Sequence, residues 1–203
     1  MAEDKLDQPL TPRFTAALTL ACELHRSQAR KGTQIPYVSH LLGVASLALE
    51  HGADEDEAIA AVLHDAVEDQ GGQATAASIR ERFGDRVTEI VLACTDTDVT
   101  PKPPWRQRKE AYVAHIRGAT PSARLVSACD KLHNARAILG DYRELGDELW
   151  SRFSGGREGT LWYYRALVSA FSAHGPSRVV AELDRVVSEL ESLSSAAVPR
   201  TRG

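Results

Sequence analysis

The sequence predicts an all-α single domain, because of its hydrophobic periodicity, its lack of strand-like runs and its length. Apolar residues recur at three- and four-residue steps along most of the chain, as they do on one face of a helix. The sequence has no alternating run of convincing strand length and no internal repeat. Its 203 residues suffice for one domain with a full core, or at most two small ones.

The first three helices are predicted from caps and breakers as well as from periodicity. Thr11 and Pro12 are a typical cap and first-turn proline for a helix over residues 11–30. A basic turn over residues 30–36 follows, with Gly32 and Pro36 as helix breakers. Residues 41–50 form the second predicted helix, and Asp54 can cap a third that runs to residue 68.

The second half of the chain continues in the same way, with Gly and Pro separating the helices. Further helices are predicted over residues 74–83, 85–94, 106–117, 121–139, 158–173 and 176–193, with a loop over 96–104 and an amphipathic segment over 141–153. The helix over 121–139 is the most apolar, so we expect it to cross the core. Residues 1–12 and 194–203 are expected to be tails, the second of them disordered, on either side of a domain over 13–193.

Composition excludes several functional classes. With 24 Lys+Arg against 28 Asp+Glu, the net charge of −4 is unlike that of a nucleic-acid-binding protein. Three cysteines without a CxxC pair argue against a disulfide scaffold and a thiolate zinc site. No stretch approaches the roughly 20 apolar residues of a membrane span, and the acidic N-terminus is not a signal peptide. We expect a soluble cytoplasmic protein whose metal site, if any, uses His and carboxylates.

Residues 63–69 hold the densest group of chemically active side chains. One imidazole and three carboxylates, those of His64, Asp65, Glu68 and Asp69, lie within one predicted helix end. Helix positions three and four apart have Cβ atoms about 5–6 Å from each other. Such groups in an apolar context repel one another unless a cation neutralises them. The simpler interpretation is a solvated acidic helix end that contains a His by chance.

Two more positions favour the metal interpretation. His40 follows the basic turn, and Asp130 lies within the most apolar helix, where a carboxylate is costly to bury unless it is paired or bound to metal. Lys131 is not an expected partner, because adjacent helix residues point about 100° apart. Asn134 shares the face of Asp130 one turn on, and His133 is expected to pack or to form a hydrogen bond.

These side chains together make a candidate centre of two imidazoles and two carboxylates. The candidate ligands are His40, His64, Asp65 and Asp130. This donor set suits Mn²⁺, Fe²⁺ or Zn²⁺ with water completing the shell, and such centres catalyse hydrolysis. Glu68 and Asp69 lie one turn beyond, where they can orient or deprotonate water.

The motif pattern resembles that of the HD-domain metal-dependent phosphohydrolases, which carry H…HD…D. Residues 30–40, 61–69 and 130–136 are similar to the RK-G…PY-x-x-H, A-LLHDvvED and DKLxNxR elements of the RelA/SpoT-type alarmone hydrolase domain. Residues 94–96 and 108–112 are also similar, so that the resemblance covers roughly residues 14–167. It implies a helical bundle built as a single HD domain.

The resemblance also implies an activity and roles for individual residues. The implied enzyme uses one Mn²⁺ ion, with Zn²⁺ or Fe²⁺ as alternatives, to remove the 3′-pyrophosphate of guanosine penta- or tetraphosphate. His40, His64, Asp65 and Asp130 would hold the metal, while Glu68 and Asp69 would manage the water and Asn134 would contact the ribose or orient a ligand. The expected substrate contacts are Arg30, Lys31, Tyr37, Lys102, Arg108, Lys109 and Tyr164.

Several alternatives stay open at this point. Ala137 lies where long family members often carry a hydroxyl residue, which leaves the adenosine analogue open as a substrate. We expect a small stand-alone hydrolase, because no synthetase domain follows the match. The rivals are an HD phosphohydrolase for another nucleotide or NADPH, and an antitoxin that neutralises a toxin partner. A homodimer is a further open prediction, whereas nucleic-acid and membrane partners are not expected.

Overall fold

The computed structural model describes residues 10–96 and 101–196, and in these residues the fold is all-α, as predicted. Their only β-type contact is an isolated antiparallel bridge between Ala29 and Pro36. The helices are α1 (Pro12–Leu24), α2 (Val38–Glu50), α3 (Glu55–Leu63), α4 (Ala66–Asp69), α5 (Gln73–Phe83), α6 (Asp85–Cys94), α7 (Trp105–Ile116), α8 (Pro121–Leu145), a 3₁₀ helix (Gly146–Arg152), α9 (Gly156–Ser172) and α10 (Arg178–Ala196).

Helix α8 lies at the centre of the bundle. It contacts α2, α3, α6, α9, α10 and the 3₁₀ helix, and residues from several of its faces are buried. The prediction of a core helix is therefore confirmed, but α8 ends at Leu145 rather than at residue 139. Residues 141–145 continue it because the first effective stop is Gly146, which adopts φ +57° just past the helix end.

Helix α3 begins at a complete capping box. The Asp54 carboxylate accepts a hydrogen bond from the Glu57 amide over 3.0 Å, and the Glu57 carboxylate accepts one from the Asp54 amide over 2.9 Å. This reciprocal pair satisfies two backbone donors that have no partner inside the helix. The predicted cap thus fixes where the helix leading to the candidate site begins.

Helix α1 ends at Leu24, before the predicted end at residue 30, because the chain folds back in a tight loop. The Tyr37 amide donates to the Gln28 carbonyl over 2.9 Å, and the Arg30 amide donates to the Ile35 carbonyl over 2.8 Å. These bonds close the basic turn and lead directly into α2, which begins at Val38 rather than at residue 41. The turn is therefore held against the helix that carries His40.

The predicted C-terminal tail is partly helical. Helix α10 ends at Ala196 rather than at residue 193, and the buried Ser194 hydroxyl donates to the Leu190 carbonyl over 2.7 Å. The remainder of that tail, residues 1–9 of the N-terminal tail and residues 97–100 of the predicted loop lie outside the described residues. No helix in the described part of the chain is long and apolar enough to cross a membrane.

Candidate functional site

The helix predicted over residues 54–68 is interrupted at the His64–Asp65 pair. Helix α3 ends at Leu63 and α4 begins at Ala66, while Asp65 has φ −97° and ψ −1°, in the bridge region between the helical and extended conformations. Neighbouring side chains on a regular helix diverge by about 100°. The interruption instead lets the two side chains converge, with His64 Nε2 3.0 Å from Asp65 Oδ2.

All four predicted metal ligands meet at this point. Helix α2 contributes His40, the α3–α4 junction contributes His64 and Asp65, and α8 contributes Asp130. His40 Nε2 lies 3.2 Å from Asp130 Oδ1 and 3.6 Å from Asp65 Oδ2, and His64 Nε2 lies 3.6 Å from Asp130 Oδ1. The ligand atoms of His40, His64 and Asp65 fall within 4.8 Å of one another, a spacing that one ion can bridge.

The chemistry of these atoms fits a divalent cation. His64 Nδ1 lies 2.9 Å from the Ala61 carbonyl, which can only accept, so Nδ1 carries a proton, and in the neutral ring Nε2 has a free lone pair. That lone pair faces carboxylate oxygens. The Nε2 atoms of His40 and His64 are both buried and have no other partner in the described residues. A divalent ion held by these atoms would satisfy them.

The electrostatics of the cluster point the same way. Burial alone lowers the pKa of His64, but the Asp65 and Asp130 carboxylates hold that pKa well above its usual value. Burial alone raises the pKa of both carboxyls, yet His64 holds the Asp65 pKa well below its ordinary range, and Lys131 and the two imidazoles do the same for Asp130. The site therefore favours positive charge between two ionised carboxylates.

The two carboxylates are oriented by neighbouring donors. Tyr37 donates to Asp65 Oδ2 over 2.5 Å, and Asn134 donates to Asp130 Oδ1 over 2.6 Å. Lys131 Nζ lies 2.5 Å from Asp130 Oδ2, so the expectation that these adjacent residues would not pair was wrong. The long, flexible lysine side chain curls back to its neighbour, because a buried ammonium and a buried carboxylate each need a partner.

Glu68 and Asp69 are held by different parts of the fold. Glu68 accepts hydrogen bonds from Lys102 Nζ over 2.8 Å and from the Asp96 amide over 3.1 Å. Asp69 Oδ2 accepts one from Gln28 Nε2 over 2.8 Å. Asp69 is exposed, but its carboxyl is partly desolvated, and this desolvation, followed by the Asp65 and Glu68 carboxylates, raises its pKa, although the Gln28 hydrogen bond opposes the change. Asp69 is thus the carboxylate whose environment suits a proton acceptor.

Gln28 is itself fixed by two further side chains. Its Oε1 accepts from Gln70 Nε2 over 2.6 Å and lies 2.7 Å from Nδ1 of the buried His25. The His25 ring stacks on Tyr37 with centroids 5.2 Å apart. Neither His25 nor Gln28 was predicted to have a role, and only their place between the basic turn and α4 reveals one.

Two adjoining cavities of about 370 and 440 Å³ lie beside the cluster. They share the lining residues Lys31, Asn134, Ile138, Phe153 and Tyr164. Arg30 and Tyr37 line the first cavity only, and Lys102, Arg108 and Lys109 line the second only. The structure therefore places all the predicted substrate contacts on one continuous surface. Asn134 lies on this surface next to the candidate metal site.

Three cations of the second cavity are paired with acids. Arg108 and Lys109 both contact Asp96 Oδ2, the latter over 2.9 Å, and Lys102 pairs with Glu68 over 2.8 Å. Burial and the charge of Lys131 lower the pKa of Lys109, against the effect of Asp96. The acid that organises this basic cluster, Asp96, was noted in sequence only as part of a similar motif.

Comparisons with known proteins place the chain in a family. The HD domain family profile matches residues 17–161, most of the chain. This chain belongs to the HD-domain family. As the resemblance implied, the chain is similar to hydrolases: the guanosine-3′,5′-bis(diphosphate) 3′-pyrophosphohydrolase MESH1 of Xenopus tropicalis is 37% identical over 138 residues, which cover 66% of this chain and 72% of the relative.

Two further proteins are similar to this chain in sequence, and one solved structure is similar to it in fold. The human enzyme with the same name is 34% identical, with 66% of this chain and 72% of the relative covered. A longer 3′-pyrophosphohydrolase of Haemophilus influenzae is 33% identical, and the match spans 59% of this chain but only 18% of that one. The solved structure of a metazoan ortholog of SpoT matches the fold with a TM-score of 0.75 at 24% identity, over 90% of this chain and 97% of its own.

Proposed function

We propose that this HD-domain protein hydrolyses the 3′-pyrophosphate of guanosine 3′,5′-bis(pyrophosphate) in a Mn²⁺-dependent reaction that releases pyrophosphate. The observation that carries the proposal is the convergence of two imidazoles and two carboxylates beside a surface lined by every predicted substrate contact. The names of the relatives support the substrate, since they are 3′-pyrophosphohydrolases of this nucleotide.

His40, His64, Asp65 and Asp130 would hold the ion. A divalent ion supplies Lewis acidity that polarises a phosphoryl oxygen and acidifies water. Asp69 accepts the proton of the attacking water, because Gln28 holds its carboxylate in place and its raised pKa favours proton uptake. Glu68 is neutralised by Lys102 and orients the water rather than serving as the base.

The basic side chains would stabilise charge that develops on the transferred phosphoryl groups. The second cavity is lined by Lys102, Arg108 and Lys109, whose positive charge can offset the negative charge of a pyrophosphate. Arg30 donates to Asn134 over 2.7 Å, and Asn134 donates in turn to Asp130, so a guanidinium that meets the substrate is joined to a metal ligand. Arg30 can also stack on a planar base.

The first cavity would receive the nucleoside. Its wall includes Ala137, Ile138 and Tyr164, which offer apolar area to a purine ring. Ala137 has no hydroxyl for a base-specific hydrogen bond, so we expect both the guanosine substrate and its adenosine analogue to be cleaved.

The direct test is to incubate the purified protein with Mn²⁺ and guanosine 3′,5′-bis(pyrophosphate) and to measure released pyrophosphate. Chelation with EDTA should abolish release, and Asp65→Ala should do the same. Asp85→Ala, which alters an exposed carboxylate on α6, is the matched control and should leave the rate unchanged. No pyrophosphate release from this nucleotide, together with cleavage of NADPH or another nucleotide, would contradict the substrate assignment.

A cellular test separates catalysis from sequestration of a toxin partner. If the protein protects cells by hydrolysis, Asp65→Ala loses protection, whereas a sequestering antitoxin keeps it. We place the activity in the cytoplasm, since Cys22, Cys94 and Cys129 are all free thiols. A homodimer and a toxin partner stay predictions.

A further inference from the structure

The ring of His40 has a second contact, on the side away from the carboxylates. His40 Nδ1 lies 2.9 Å from His133 Nδ1, with ring centroids 4.8 Å apart. His40 is fully buried, whereas His133 is half-buried and lines the first cavity. His133 is therefore the hydrogen-bond partner of His40 on the side of the ring that faces away from the candidate metal site.

The direction of this hydrogen bond follows from the role of His40. Nε2 must be bare to bind a cation, so the single proton of the neutral ring is on Nδ1. Nδ1 then donates, and His133 Nδ1 must accept. Partners of this kind fix the orientation and tautomer of metal-binding histidines, and their loss typically weakens metal affinity about 10–100-fold.

The position of His133 depends on a glycine in the facing helix. A Cβ atom built on Gly43 of α2 would lie 2.3 Å from both Cδ2 and Nε2 of His133, closer than real Cβ contacts allow. Gly43 lies one turn from His40 on the same helix. Without a side chain at Gly43, the imidazole on α8 can approach α2 closely enough to reach His40.

We infer that His133 is a positioning residue that holds the His40 ring in its metal-binding tautomer, and that Gly43 is the residue that makes room for it. The inference rests on the proposed metal site but not on the identity of the substrate. It assigns a function to a histidine that contacts the cluster without being one of its ligands.

The test is Mn²⁺ affinity of the full chain, measured by the electron paramagnetic resonance signal of free Mn²⁺. We expect His133→Leu, which keeps bulk but removes the acceptor, to raise the Kd about 10–100-fold. His133→Asn places an acceptor near the Nδ1 position and should recover part of the affinity. Exposed His174 provides the matched control, since His174→Leu should bind as the unmodified chain does.

The glycine has its own test and control. Gly43→Ala should weaken Mn²⁺ binding in the unmodified chain but have little further effect in a His133→Ala background, because the ring it would displace is gone. Gly140→Ala on α8 is the control, since a Cβ there meets nothing within 4 Å. Circular dichroism of each variant verifies that it is folded.

The outcomes distinguish this inference from the proposed function. Unchanged affinity in folded His133→Leu would overturn the positioning role and leave the metal site intact. If the unmodified chain bound none of Mn²⁺, Zn²⁺ and Fe²⁺, the metal site and the role of His133 would both be wrong. If the expected affinities were found without hydrolysis of guanosine 3′,5′-bis(pyrophosphate), only the substrate assignment would fail.

Discussion

Tyr37 donates its phenolic hydrogen to Oδ2 of Asp65 over 2.5 Å, and the same oxygen lies 3.0 Å from His64 Nε2. Burial, followed by the charge of Asp65, raises the pKa of Tyr37, so the phenol is a neutral donor at working pH. Tyr37 was predicted as a substrate contact, and it does line the first cavity. Its hydroxyl, however, donates to Asp65, a candidate metal ligand.

Tyr37→Phe should therefore weaken Mn²⁺ binding about 10-fold, because Asp65 loses the donor that orients it. The measurement is Mn²⁺ affinity together with kcat and KM. Tyr142→Phe removes a comparable Tyr–Asp bond outside the site, 3.0 Å to Asp147, and should leave both unchanged. A raised KM for the nucleotide with normal metal affinity would instead indicate that the hydroxyl serves the substrate.

Gln28→Leu should lower kcat roughly 10-fold at neutral pH and shift its acid limb to higher pH. The Gln28 hydrogen bond lowers the pKa of Asp69, so its loss raises that pKa further above the ordinary value. A base works only when deprotonated, so activity is lost at a higher pH than in the unmodified enzyme.

The pH profile of kcat tests this prediction, with Gln34→Leu in the exposed part of the basic turn as the control. The charged and titratable groups that act on Asp69 include Asp65, Glu68, Lys102 and Tyr37. None of them is altered by Gln28→Leu, so an acid limb that did not move would show that Gln28 has no effect on the base.

Gly155→Ala should displace the indole of Trp105, since a Cβ at Gly155 would lie 2.6 Å from that ring. Trp105 begins α7, which carries Arg108 and Lys109 into the second cavity. We expect destabilisation of about 1–3 kcal/mol from overpacking, with a changed tryptophan emission and a raised KM. Gly140→Ala is again the control, and equal KM values in the two variants would contradict the link from Trp105 to the cavity.

Asp54→Ala should lower the free energy of unfolding by about 1 kcal/mol, through loss of the cap of α3. The variant also loses the 2.7 Å ion pair between Asp54 and the half-exposed Arg86, which should lower the free energy of unfolding only a little further. Urea denaturation measures the change. Asp85→Ala, an exposed carboxylate in the first turn of α6, should change stability by less than about 0.5 kcal/mol. Equal effects would mean that the capping box is not a distinct source of stability.

The helices and the candidate ligands could both be predicted from the sequence, because both leave local signals. Periodicity located the helices, and the predicted cap at Asp54 and the apolar character of α8 are confirmed by the fold. Asp130 stood out because a carboxylate in an apolar helix needs a partner.

Side-chain contacts between segments that are far apart in the chain could not be predicted from local sequence patterns. Gln28 and Asp69 are 41 residues apart, and His40 and His133 are 93 apart, so no helical spacing relates them. The interruption at Asp65 was also hidden, because no Gly or Pro marks it. The prediction that Lys131 does not pair with Asp130 was wrong, because the direction of the backbone says little about where the tip of a long side chain lies.

The candidate ligands come from α2, from the α3–α4 junction and from α8, so a bound ion would join segments that are far apart in the chain. Such an ion is a cross-link between elements that otherwise meet only through apolar packing and hydrogen bonds. Folding stability should then depend on ambient Mn²⁺, with a gain of about 2.7 kcal/mol when the free ion is at 100 times its Kd. The melting temperature of this HD-domain protein would in that case report the metal supply of its surroundings.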